Sequence, residues 1–194
     1  MITSEDIADN IIDLLPYKEW REEHLVITGG EPLLGWQRAY PDLLSNQKMW
    51  ALKELTFETN GTQEITDDFA FFLKSWTGGR GKDALTFSVS PKLSVSGEKW
   101  EDAIKPEIVV QYQQLGYTYL KFVVATEADV EEAEQAYNEY KKHGFTGPIY
   151  LMGVGGTTEV FTKTNRQVAD LALKKGWRYS DRLHIGLWGN SWGT

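Results

Sequence analysis

The 194-residue chain contains no cysteine, which removes disulfides, zinc–thiolate sites and thiol nucleophiles from its chemistry. Histidine is scarce too: His24, His143 and His184 are scattered along the chain and suggest no metal site. No apolar run approaches membrane-spanning length, and the N-terminus lacks the basic-then-apolar layout of a secretory signal, so a cytoplasmic protein is expected. Blocks of like charge are also missing. Twenty basic and 28 acidic side chains leave a net charge of −8, a field that argues against nucleic acid or an anionic membrane as a general partner. A local basic pocket for an anion stays compatible with it. Without low-complexity segments or a linker, residues 1–194 read as one domain, long enough for a real core.

What the chain does have is a set of apolar runs that end abruptly in polar residues. Leu25-Val26-Ile27-Thr28-Gly29-Gly30-Glu31-Pro32 is the clearest. A short β-branched run bounded by turn signals reads as a buried strand, so function is expected at its carboxyl end. Gly29 and Gly30 let a ligand approach the backbone and its N–H and C=O groups. Glu31 adds an acceptor for an ammonium or a metal-bound water, and Pro32 fixes the exit direction. A plain strand-to-loop turn would use the same residues.

Further strands are predicted at Leu55–Thr59, Leu85–Ser90, Tyr119–Val124, Ile149–Met152 and Trp177–Tyr179, at about the spacing of a strand-plus-helix unit. Thr3-Ser4-Glu5-Asp6 reads as a helix cap, and Ile7, Ile11, Leu14 and Leu15 follow at helical spacing until Pro16. Glu127–His143 is predicted helical, with Val130, Ala133, Tyr137 and Tyr140 as its apolar stripe and Gly144 as its stop. Thr164–Lys175 is a second such helix, with Val168, Leu171 and Ala172 inward. Ser75–Lys82 reads as a flexible surface loop rather than a phosphate cradle. Alternating strands and helices imply an α/β protein with a parallel sheet, satisfied by an open doubly wound sheet or by a barrel. A curved, incomplete (β/α) barrel with outer helices is favoured, because the distinctive residues fall at successive strand ends.

Those ends carry the candidate site. Asn60-Gly61 after the second strand is explained by a turn alone, whereas Glu58 and Thr59 at the mouth of an apolar strand are not. After the third strand come Ser90, a donor for a carboxylate or ribose, Pro91, and Lys92, a cation with three donors. Lys121 on the fourth strand suits either a ligand contact or a solvated edge. Leu151–Thr157 again runs an apolar strand into glycines. In the tail Asp181–Asn190, Arg182 and His184 would share one side of a strand, and His184 suits a structural hydrogen bond as well as a ligand.

Thr28-Gly29-Gly30-Glu31-Pro32 after a strand resembles the segment by which radical S-adenosylmethionine (SAM) enzymes hold the amino group of SAM. Together with Glu58-Thr-Asn-Gly-Thr, Val89-Ser-Pro-Lys, Lys121-Phe-Val-Val and Asp181-Arg-Leu-His-Ile-Gly-Leu-Trp-Gly-Asn, it is similar to the 7-carboxy-7-deazaguanine synthases, from about the first helix to the C-terminus. The resemblance implies a partial barrel of the radical SAM type, here with its N-terminal βα unit missing. It implies ring contraction of 6-carboxy-5,6,7,8-tetrahydropterin to 7-carboxy-7-deazaguanine, in queuosine and deazapurine biosynthesis, with SAM, a [4Fe–4S] cluster and Mg2+. Gly29, Gly30 and Glu31 would take the methionine end of SAM, and Ser90, Pro91 and Lys92 the rest. Thr28, Glu58, Asn60, Lys121 and His184 would take the pterin. The family's cluster cysteines, in a C-x3-C-x2-C loop, have no counterpart, so no metal ligand is assigned. The implied partner is a small-molecule pterin, with a homodimer or a partner chain that supplies the cluster segment as the assembly. A non-catalytic SAM- or pterin-binding remnant, or one half of a split enzyme, is the alternative.

Overall fold

The computed structural model describes residues 2–189, with the backbone alone at residue 82. Asn190, the last residue of the tail motif, lies outside the described residues. In chain order the elements are α1 (Ser4–Leu14), β1 (Leu25–Ile27), α2 (Tyr40–Leu44), β2 (Leu55–Thr59), α3 (Asp67–Gly78), β3 (Leu85–Val89), α4 (Trp100–Ala103), α5 (Pro106–Leu115), β4 (Tyr117–Val124), α6 (Glu127–Lys142), β5 (Ile149–Gly153), α7 (Thr158–Lys175), β6 (Arg178–Ser180) and α8 (Leu183–Trp188). The chain is therefore α/β, with strands and helices alternating as expected. Two compact units are present, residues 2–59 with 63–88 and 111–117, and residues 60–62 with 89–110 and 118–189.

In the first unit the strands run β1-β2-β3, and β1 pairs with β2 in parallel, Val26 opposite Thr56 and Ile27 opposite Phe57. Alternation decides which side chains meet the helices. Phe57 and Phe87 stack at 5.8 Å between ring centroids, Phe87 stacks on Tyr112 of α5 at 4.7 Å, and Phe69 of α3 meets Phe57 edge-on at 6.0 Å. All four are buried, and each ring contributes about 1.5–3 kcal/mol by leaving water. The first helix starts where expected, because Thr3 and Asp6 form a capping box. Its apolar stripe is less buried than its spacing implies: Ala8 is the buried position within it, Leu15 packs just beyond its end, and Leu14 is 84% exposed. Polar contacts complete the docking, with Lys48 reaching both Glu5 and Asp9.

The expected loop at Ser75–Lys82 is corrected at its start, where α3 continues through Gly78. Trp76 and Thr77 are buried there, and the Arg80 guanidinium sits 4.4 Å over the Trp76 ring. Burial of one tryptophan outweighs the helix-breaking tendency of the glycines around it.

In the second unit β4, β5 and β6 lie in chain order with parallel pairing, Lys121 opposite Tyr150 opposite Arg178, and Val123 opposite Met152 opposite Ser180. Leu120, Phe122 and Val124 of β4 and Ile149 and Leu151 of β5 are buried, as are Val130, Ala133, Ala136 and Tyr140 of α6 and Phe161, Val168 and Ala172 of α7. The alternate residues, Lys121, Val123, Tyr150 and Met152, are only half-buried. They form a second, more open face leading up to the strand ends. Helix α7 begins six residues before the expected Thr164, since the Thr157 hydroxyl accepts from the Val160 N–H and caps it. The tail departs from the strand reading of Arg182 and His184: Leu183–Trp188 forms α8, and Arg182 is its N-cap residue.

Candidate functional site

The mouth of the first unit is built by strand register. With Ile27 opposite Phe57, the next residues, Thr28 and Glu58, fall side by side, and the Thr28 hydroxyl donates to Glu58 Oε2 at 3.5 Å. The chain then turns through Gly29 (φ +90°) and Gly30 (φ +51°), backbone that L side chains rarely adopt. Both glycines are exposed, and nothing lies within 4 Å of where a Cβ would stand at either, so a ligand has room to approach the backbone on that side. The Glu31 carboxylate is partly committed: its Oε1 accepts from the Thr59 hydroxyl at 2.7 Å and from the Leu33 N–H at 3.1 Å. It braces the loop as well as offering charge.

Two residues that sequence reasoning missed hold this loop. Tyr40 is buried in α2 and donates its hydroxyl to the Pro32 carbonyl at 2.6 Å. Burial, and then the nearby Glu31 charge, push its phenol up to about 12, so it stays a donor. Gln37, also buried, donates to the carbonyls of Leu33 and Glu64 and accepts from the Thr66 N–H. No local spacing announces either pairing. Thr59 and Glu31 were each visible as polar residues at strand ends, and their pairing with each other was not.

In the second unit Asn60 follows the turn alternative that the sequence left open, its Oδ1 accepting from the N–H and the hydroxyl of Thr62 at 3.0 and 2.7 Å. Ser90, Pro91 and Lys92 do come together, lining a cavity of about 310 Å3 with Leu93, Val123 and Arg182 among its walls. Among the described residues neither the Ser90 hydroxyl nor the Lys92 ammonium has a hydrogen-bond or ion-pair partner, and Lys92 is exposed. Lys121 lies on the same open face of β4 as the cavity residue Val123, in a row with Tyr150 and Arg178, whose Nη1 donates to the Tyr150 hydroxyl at 2.7 Å. His184 is exposed in the first turn of α8 and lines none of the described cavities. Arg182, two residues earlier, is the cavity residue instead.

A wider groove of about 600 Å3 in the first unit, between Trp50, Lys53, Glu54 and Arg80, lies near the amino ends of β2 and β3. Its arginine is committed to the carbonyls of Leu52, Trp50 and Trp76 at 3.0–3.1 Å. It therefore offers less unspent polarity than the strand ends do. Among the described residues no group of three or more His, Asp or Glu could hold a metal ion, and no helix is long and apolar enough to cross a membrane.

The fold is an α/β protein with a parallel sheet, and bare glycines and donors without a partner among the described residues stand at the carboxyl ends of its strands, where such folds place their sites. No family model matches the chain, and no solved structure matches it. Curated relatives do. The chain is 32% identical over 171 residues to a Pyrobaculum aerophilum protein named 7-carboxy-7-deazaguanine synthase, covering 88% of this chain and 67% of that one. It is 30% identical over 197 residues to a Halobacterium salinarum protein of the same name, covering 95% and 72%. A Rhodopirellula baltica protein, again so named, is 26% identical over 186 residues, covering 89% and 64%. The chain belongs to the 7-carboxy-7-deazaguanine synthase family.

Proposed function

We propose that this chain holds SAM and a pterin carboxylate for the reaction its relatives are named after, contraction of 6-carboxy-5,6,7,8-tetrahydropterin to 7-carboxy-7-deazaguanine on the way to queuosine and related deazapurines. The observation that carries this reading is the first strand mouth, where the open backbone of Gly29 and Gly30 follows directly on the Thr28–Glu58 pair. The fold is then a partial barrel of the radical SAM type, in a cytoplasmic protein.

When bound, SAM supplies the deoxyadenosyl group that starts the ring contraction. The chain's part is to bind and orient. The peptide groups of Gly29 and Gly30 and the Glu31 carboxylate take the methionine end of SAM, with Thr59 and Tyr40 keeping the loop in place. Ser90, Pro91 and Lys92 supply contacts to the rest of it. Thr28, Glu58, Asn60, Lys121 and His184 are the pterin contacts. Homodimerisation, or association with a chain that brings the cluster segment, is the proposed assembly.

The donor set does not fit the cluster. A [4Fe–4S] centre takes thiolates, the chain has none, and the described carboxylates and histidines form no metal-binding group for iron or Mg2+. Thiolates for this chemistry would come from outside these 194 residues. The second reading is a protein that holds SAM or pterin and generates no radical itself.

Equilibrium binding tests both readings against neither. Calorimetry with SAM and with 6-carboxypterin should show saturable binding, and Glu58→Gln should weaken the pterin about tenfold while leaving SAM within about twofold. Absence of binding by either compound at millimolar concentration would sink the proposal.

A further inference from the structure

The groove at the amino ends of β2 and β3 lies wholly in the first unit, and at about 600 Å3 it has the size of a small-molecule site. One wall is the glycine-rich stretch Gly78-Gly79-Arg80-Gly81, a motif that the reading above leaves unused. Arg80 is held there at three points: Nε donates to the Leu52 carbonyl at 3.0 Å, Nη1 to the Trp76 carbonyl at 3.1 Å and Nη2 to the Trp50 carbonyl at 3.0 Å. Its guanidinium plane is therefore fixed. That plane sits 4.4 Å over the ring of Trp76, which is buried and lines no part of the groove, whereas Arg80 does line it. The second face of the guanidinium is thus turned to the groove. On the same groove Trp50 is 65% exposed, with its indole tethered by an Nε1–H bond to the Ser45 carbonyl at 3.2 Å. A fixed guanidinium face and a tethered indole are both stacking platforms for a flat heteroaromatic ring.

The charges select among such rings. Arg80 is committed to carbonyls and Lys53 to Glu22 at 2.9 Å, while two carboxylates also line the groove. Glu54 meets His24 Nδ1 at 3.5 Å, and Asp83 has no hydrogen-bond or ion-pair partner among the described residues. Carboxylates without a spare ammonium, in a chain of net charge −8, disfavour a phosphate and favour a ligand that donates hydrogen bonds. The two oxygens of one carboxylate match two adjacent in-plane N–H donors. In a heteroaromatic ring that pair is the ring N–H beside the exocyclic amine of a 2-amino-4-oxopyrimidine edge, as in guanine. Adenine offers a donor beside an acceptor and fits less well.

We propose that this groove binds an uncharged guanine-type base, stacked against Arg80 and Trp50 with its N–H edge on Asp83. The site is separate from the strand mouths, and the proposal does not rest on the reading of SAM and pterin binding.

The test titrates guanosine, inosine and guanosine 5′-monophosphate into the isotopically labelled 194-residue chain and follows the amide signals of Ala51, Lys53, Gly79 and Asp83. Guanosine should move them saturably at millimolar concentration or below and leave Gly29 and Gly30 in place. Inosine lacks the 2-amino group and should bind about tenfold more weakly, and the monophosphate should bind about fivefold more weakly than guanosine. Asp83→Asn should bring guanosine and inosine to within about twofold of each other, and Trp50→Ala should weaken both alike by about tenfold. No saturable shift with guanosine, shifts at Gly29 and Gly30 alone, equal binding of guanosine and inosine by the wild type, or a preference that survives Asp83→Asn overturns the proposal. Should a variant lose its melting transition, the wild-type preference among the three compounds decides. A wild type that binds guanosine here but neither SAM nor a pterin refutes the functional reading and leaves this site standing.

Discussion

Gly155 sits where a single added methyl group should be felt most sharply. Its φ is +141°, and a Cβ there would stand 2.7 Å from the Phe161 N and 2.9 Å from the Phe161 Cα. Those atoms belong to the first turn of α7, and the Phe161 N–H donates to the Thr157 carbonyl at 2.9 Å, so they cannot yield without breaking the helix start. Backbone strain and overpacking together put the cost of Gly155→Ala at about 3 kcal/mol. For a chain of this length that lowers the melting temperature by about 6–12 °C. Gly156 is the internal control. Nothing lies within 4 Å of its Cβ position, and Gly156→Ala should shift the transition by no more than about 1 kcal/mol. Thermal unfolding followed by circular dichroism reads both variants. Equal melting temperatures for Gly155→Ala and the wild type would refute the packing argument for the loop that holds Arg182.

Other outcomes follow from the same geometry. Tyr40→Phe removes the 2.6 Å bond to the Pro32 carbonyl and should cost about 1 kcal/mol in urea unfolding, with a larger loss of SAM affinity than of stability. The docking of α1 should loosen at both pH extremes, as read by amide exchange. Hydrogen bonds, to Lys48 and Asn46 for Glu5 and to Thr3 for Asp6, hold both carboxyls below the usual range. Their contribution is present above the unfolded pKa and is lost as pH falls through the depressed folded pKa. Hydrogen bonds to Asp9 and Glu5 raise Lys48, whose contribution is present below its unfolded pKa and is lost as pH rises through the raised one. Asp6→Asn should flatten the acid limb. Reconstitution of the chain with iron and sulfide should leave no stoichiometric, oxygen-sensitive chromophore, since no thiolate is present to hold a cluster.

The strands were legible in the sequence because apolar β-branched runs between turn residues leave few alternatives, and each observed strand lies within two residues of its expected bounds. Helices with a single clean stripe, such as α6, were legible for the same reason. The tail was not. Leu183, Ile185 and Leu187 alternate like a strand, yet they lie on α8, where only Ile185 is buried. At the site, Thr28, Glu58, Ser90 and Lys92 announced themselves as polar residues ending apolar strands. Tyr40 and Gln37 did not, because their partners are backbone groups brought near by packing, and no local pattern encodes a side chain reaching a distant carbonyl; Arg182 stood out in the tail, but its contact with the Gly155 carbonyl did not.

The central claim is that ligand binding happens at the carboxyl ends of the strands, and amide shift mapping tests it most directly. Titration of the isotopically labelled chain with SAM should move the backbone signals of Gly29, Gly30 and Glu31 in the first unit, saturably. Shifts confined to the groove between Trp50 and Arg80, or no saturable shifts at all, would contradict the account.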